Sequence, residues 1–362
     1  MGGKLCSDMF KTRRVCRGCN STLGLFVDRP FLKNWFVMND AATAGLQFAD
    51  LDDAKSWTPL SFMGLVEVAG LAQALACELW LGPSGELAYH VHRADDPRWD
   101  SMAGGNPIRR KADPGRVHLM LTHGDSRRAA LFIRSARHAF GKAVLHPGNF
   151  SVSDPAAFPS LANSADANAV AELSAIKSAA VRREAASKMS IEIGFEQRFM
   201  AKLALGLGFN LLGEPYLDTA WAARCRAALW ERDPDKRAGL LAATSFFDEG
   251  SEIRGAASHI ALDGVYTFAV LALGACLALI LTLPSGRTIA AQISDEPVLW
   301  AGPSLADCAW GRVFYLAPQV NFFHGPSSMP AVLQHKRRGP RIEELARLES
   351  KRRPWTTLPR TS

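Results

Sequence analysis

Nineteen consecutive residues without a charge, Val265–Leu283 (VYTFAVLALGACLALILTL), leave this chain two ways to fold. As one helix the run is long enough to cross a hydrocarbon layer. As strands it is a buried pair, because strands covered on both faces read as continuous apolar runs. The flanks favour strands. HIALDG before the run and PSGRTIAAQISDEP after it carry turn residues, and Gly274 divides it into VYTFAVLAL and CLALILTL, each of strand length. The expectation is a buried hairpin; a chain anchored in a membrane through 265–283 is the alternative.

The rest of the sequence falls into separate blocks of strand and helix, which predicts an α+β fold. Residues 1–36 form a small basic unit with cysteines, and 37–150 read as β-rich. Within that region CELWLGPSGELAYHVHR predicts two strands around Gly-Pro-Ser-Gly, and RVHLMLTHGDSRRAALFIRS predicts two more around His-Gly-Asp. Residues 151–168 are rich in Ser, Pro, Ala and Asn and read as a linker or loop. Helix is expected over 169–235, with Asp218 capping DTAWAARCRAALWER, and antiparallel strands over 236–330. A basic tail, 331–362, carries a short helix near 340–350.

At 48% hydrophobic and 21% charged residues, the 362-residue chain has the balance of an ordinary globular protein. Seven cysteines, an odd number and mostly isolated, do not make a disulfide framework and fit a reducing compartment. The first 20 residues are polar and basic with no apolar signal core, so a cytoplasmic location is expected. The net charge of +7 lies at the ends: +5 within residues 1–36 and +6 within 334–362, which leaves −4 for the middle. Such an arrangement suits nucleic-acid phosphates, with plain solvation of two basic ends as the alternative.

Cys16-x-x-Cys19 is the densest chemistry in the chain. Two cysteines at this spacing can place both thiolates on one zinc at about 2.3 Å, and a structural zinc takes four such ligands. A redox pair or an inert pair remains open on spacing alone. The following residues extend the pattern. VCRGCNSTLGLFVDRPF resembles the back half of the HNH endonuclease motif, in the branch of ββα-metal nucleases that carries a zinc knuckle. The chain keeps Gly2-Gly3-Lys4-Leu5, Cys16, Cys19, Asn20, Gly24 and Asp28 in that motif's order.

The resemblance implies DNA as partner, a structural Zn²⁺ held in part by Cys16 and Cys19, and a catalytic Mg²⁺ or Mn²⁺ with Asn20 among its ligands. The amide oxygen of Asn20 is a hard donor suited to such an ion. Asp28 is a second metal candidate. It stands eight residues and about 12 Å of helical rise from Asn20, so the two share an ion only if the helix breaks, as Gly24 would permit. A helix-terminal or surface role for Asp28 is the alternative. Lys11, Arg13, Arg14 and Arg17 lie beside this segment and are candidates for holding phosphates.

One part of the motif is missing. In the family, a first Cys-x-x-Cys and an acidic-His dipeptide supplying the general base precede these residues, and the first histidine here is His90. The expectation is that the missing half lies before Met1 and that the chain as given does not cleave DNA. A non-catalytic nucleic-acid-binding protein is the competing reading. His90-x-His92 points two imidazoles to one face of a predicted strand, a geometry metals use, with packing as the simpler role. Gly206-x-Gly208 with Gly213 misses the dinucleotide-loop spacing, and no small-molecule cofactor is expected.

Overall fold

The computed structural model describes residues 16–54, 56–94, 115–122, 125–150, 161, 166–182, 186–188, 194–246, 252–300 and 311–353. The chain is α+β and divides into two compact units, Lys33–Ile191 and a discontinuous one made of Met1–Leu32 with Glu192–Ser362.

The Lys33–Ile191 unit is built on a six-stranded sheet in the order β5-β4-β3-β2-β1-β6. Strands β1 (Ser61–Glu67), β2 (Leu75–Leu81), β3 (Leu87–Arg93) and β4 (Arg116–Met120) form an antiparallel meander. Then β4 runs parallel to β5 (Val144–Pro147), and β6 (Ala186–Lys188) pairs with β1. The parallel step needs a crossover, and helix α4 (Ser126–Phe140) supplies it. This corrects the expected second hairpin: SRRAALFIRS is helix, not strand. Asp125 caps it, accepting from the N–H groups of Arg127 and Arg128 at 2.9 and 3.2 Å. Phe132, Ile133, Ala136 and Phe140 recur at helical spacing and are buried against Trp80, Ala88, Val117 and Leu119. Helix α5 (Ala167–Arg182) buries Ile176 against Cys77, Tyr89 and Val91 of the sheet's other face. A further helix, α3 (Trp35–Gly45), precedes β1, and Trp35 Nε1–H donates to Met63 Sδ at 2.7 Å.

The second unit has a five-stranded antiparallel sheet, β11-β10-β7-β8-β9. The uncharged run is the hairpin expected of it: β7 (Tyr266–Leu273) and β8 (Cys276–Thr282) pair from Thr267–Thr282 to Leu273–Cys276. The two-residue turn between them starts at Gly274, whose φ of 59° a side chain would resist. Among the described residues no helix is long and apolar enough to cross a membrane, and the 265–283 anchor is therefore corrected to a strand pair. Strands β9 (Thr288–Ser294), β10 (Arg312–Ala317) and β11 (Phe322–Ser328) complete the sheet.

Helix α6 (Phe195–Leu212) packs beside α8 (Ala220–Trp230) and against β9. The cap of α8 is Thr219, one residue after the expected Asp218; its Oγ1 accepts from Ala222 N–H at 3.1 Å. Short helices α7 (Glu214–Leu217), α9 (Pro234–Leu240) and α10 (Glu252–Ser258) connect these elements, and α11 (Met329–Lys336) and α12 (Glu343–Ser350) follow β11. The N-terminal segment belongs to this unit. Helix α1 (Arg17–Leu23) runs through a π-helical turn, Gly24–Asp28, into α2 (Arg29–Lys33). There Phe31 is buried and stacks on Phe199 of α6 with ring centroids 3.8 Å apart, flanked by Phe195 and Phe246.

Candidate functional site

Cys16 is the N-cap of α1. Its φ and ψ of −63° and 151° are extended, and its Sγ accepts the N–H of Cys19 at 3.1 Å. The Asn20 N–H closes the first turn onto the Cys16 carbonyl at 2.9 Å. The two thiols and the Asn20 side chain are thereby presented from one turn, and Cys16, Arg17, Cys19 and Asn20 are all exposed. A hydrogen bond from the Cys19 side chain, followed by the Cys19 backbone N–H, holds the Cys16 thiol below its ordinary range; the same side-chain bond pushes the Cys19 thiol up.

Asp28 lies two turns on. The helix does not break at Gly24 but widens, with the Arg29 N–H reaching back to the Gly24 carbonyl. Asp28 accepts a charge-assisted hydrogen bond from Lys202 Nζ of α6 at 2.5 Å. That bond and the Phe31 stack fix the Cys16–Asn20 turn to the α6 scaffold. Lys11, Arg13 and Arg14 lie outside the described residues. Among the described residues no group of three or more His, Cys, Asp and Glu side chains is placed to hold a metal. Cys16 and Cys19 therefore offer two soft donors of the four a structural zinc takes.

The Lys33–Ile191 unit contains two further polar clusters, both buried. On one face of its sheet, His90 and His92 share Glu78 of the neighbouring strand. Its carboxylate lies 3.5 Å from His90 Nδ1 and 3.9 Å from His92 Nε2, and it accepts from Trp80 Nε1–H at 3.1 Å. Both imidazoles do face one side of the strand, and the partner that spacing could not assign is a carboxylate across the ladder. On the other face, Arg116 Nε donates to both oxygens of Glu172 at 3.1 and 2.9 Å, its Nη2 adds a third bond, and His118 Nε2 lies 3.0 Å from the same carboxylate. Burial pushes the Glu172 carboxyl up, but Arg116 and His118 outweigh it and hold it at about 2. His146 stacks 5.6 Å from His118; burial and then the neighbouring imidazole favour its neutral form. Nothing in local spacing marks Arg116, His118 or Glu172, since the partners are 54 and 56 residues apart.

Comparison with known proteins finds no matching family, no matching curated protein and no matching solved structure.

Proposed function

We propose that this chain is a DNA-acting protein of the HNH nuclease type, with Cys16 and Cys19 as two ligands of a structural Zn²⁺ and Asn20 as a ligand of Mg²⁺ or Mn²⁺. What supports this reading is the Cys16–Asn20 turn itself. Both thiols are exposed, the Cys16 sulfur accepts the Cys19 backbone N–H, and the amide that follows is exposed in the same turn. An N–H donated to a cysteine sulfur stabilises the thiolate a zinc ion needs, and a carboxamide oxygen suits a hard divalent ion. When bound, the divalent ion would neutralise charge on a phosphodiester and ready a water for attack.

The residues' own contributions are positional. Lys202 and Phe199 hold the helix through Asp28 and Phe31, and Arg17, exposed in the same turn, is available to donate hydrogen bonds to a phosphate. Residues 1–89 carry no histidine, so the sequence around the knuckle supplies no imidazole base of its own. The expected activity of these 362 residues is DNA binding without cleavage, to which the zinc-held turn contributes.

Zinc content, duplex binding and plasmid nicking in Mg²⁺ or Mn²⁺ test this together. Bound zinc is expected to fall in Cys16→Ser and Cys19→Ser, with weaker DNA binding and no nicking in any form. Plasmid cleavage abolished by Asn20→Ala would overturn the non-cleaving part, and a chain that retains neither zinc nor DNA would overturn the whole reading.

A further inference from the structure

The structure carries a cationic surface far along the sequence from the cysteine turn. Helices α11 and α12 and their connection, residues 336–353, hold eight basic side chains against three acids. Three of the eight serve the fold. Lys336 Nζ donates to the carbonyls of Ser258 and Ala261 at 2.9 and 2.6 Å, Arg352 donates to the Asp263 carbonyl at 2.7 Å, and Arg347 pairs with Glu343. Arg337, Arg338, Arg341 and Lys351 are exposed, and among the described residues their side chains have neither an ion pair nor a hydrogen bond.

The backbone that presents them is tightly fixed. Helix α11 ends with Gly339 N–H on the Gln334 carbonyl at 2.8 Å and Arg338 N–H on the His335 carbonyl at 3.2 Å, the paired bonds of a Schellman ending. The buried His335 ring then accepts the Ile342 N–H at Nδ1, 3.1 Å away, which ties the loop back onto the helix. Leu345 and Leu348 bury the inner face of α12. A ligand meeting this loop finds the backbone that carries its cations already ordered, so only the side chains remain to be fixed on binding.

Arg338 supplies a second, independent observation. It occupies the left-handed position of the Schellman ending, φ 64°, where glycine is the ordinary choice and a side chain is strained. The chain holds a guanidinium at the one position of this loop where a smaller residue would fold more easily.

We infer that the α11–α12 hairpin is a binding site for the phosphate backbone of duplex DNA, with Arg337, Arg338, Arg341 and Lys351 as its phosphate contacts. Guanidinium groups form paired hydrogen bonds to phosphate oxygens, and three of the four cations are arginines. An anionic membrane is the less suitable partner. Interfacial helices insert exposed apolar side chains, and none of the exposed large hydrophobic residues lies in 329–353. The site is separate from the cysteine turn and does not depend on zinc.

Fluorescence anisotropy of the full chain with a labelled duplex, across a salt series, tests the inference. Arg337→Ala, Arg338→Gly and Arg341→Ala are each expected to weaken binding and to reduce the slope of log affinity against log salt by about one. Arg338→Gly is expected to leave the melting temperature unchanged or raise it; weaker binding together with a lower melting temperature would assign Arg338 to the fold. The inference is overturned if the triple variant binds duplex as the parent does, or if the parent prefers phosphatidylserine vesicles to duplex at equal salt. Cys16→Ser and Cys19→Ser separate the two readings. Should they abolish DNA binding while the hairpin variants do nothing, the cysteine site stands and the hairpin falls; the opposite pattern keeps the hairpin alone.

Discussion

Glu172 carries more of the Lys33–Ile191 unit than its place on an alanine-rich helix suggests. One carboxylate satisfies the guanidinium of Arg116 and the ring of His118, and both reach it from the sheet. Removing its charge leaves a partly buried arginine without its counter-ion, a loss of roughly 3 kcal/mol or more by analogy with broken buried pairs. Glu172→Gln is expected to lower stability by that order in urea denaturation at neutral pH. The acid dependence has a definite sign. The carboxyl is held at about 2, against an ordinary value of 4.5, so its contribution is complete above pH 4.5 and disappears as pH falls towards 2. The parent and Glu172→Gln should therefore converge in stability at low pH, and a gap that persists there would refute the assignment. Such a residue is invisible to a reading of spacing, because its partners are brought to it by the sheet. Cys16, Cys19 and Asn20 stand out in the sequence for the opposite reason: they lie within five residues, and the hydrogen bonds that close their turn are local.

At the scale of elements, patterns survive where burial is uniform and fail where turn chemistry is shared. The 265–283 hairpin could be read from its sequence because both strands are largely buried and therefore mostly apolar, and Gly274 marks the turn between them. The α4 segment was misread because His-Gly-Asp suits a hairpin as well as a helix start; Asp125 in fact caps a helix, and the buried residues after it recur every three or four positions. Helix α6 shows how close an element can approach. A side chain at Gly208 would put its Cβ 2.3 Å from the Tyr216 ring, and Tyr216 is fully buried with its hydroxyl donating to the Ala204 carbonyl at 3.3 Å. Alanine is the better helix former, yet here it must displace a packed aromatic ring. Gly208→Ala is expected to destabilise by about 1–3 kcal/mol, seen as a lower denaturation midpoint, whereas Gly206→Ala, with open space around its Cβ, should be neutral or stabilising.

For the molecule as a whole, the order of units along the chain is the informative fact. All six strands of the first sheet lie inside Lys33–Ile191, but the second unit needs residues from both sides of it. The fragment 33–191 is expected to unfold in a single cooperative transition by circular dichroism. The fragment 192–362 lacks Phe31 and should melt below the same residues joined to 1–32, because Phe199, Phe195 and Phe246 lose the ring that covers them. Equal melting would show that the stack contributes nothing. This nesting was beyond the sequence reading, since basic residues at both ends say nothing of whether the ends share a body. The stack of Phe31 on Phe199 also sets a timetable. The cysteine turn leaves the ribosome early, and the helix that will hold it follows more than 160 residues later. At roughly 5–20 residues per second that is a delay on the order of ten seconds or more, during which the two thiols meet metal, oxidant or chaperone before the scaffold that presents them exists.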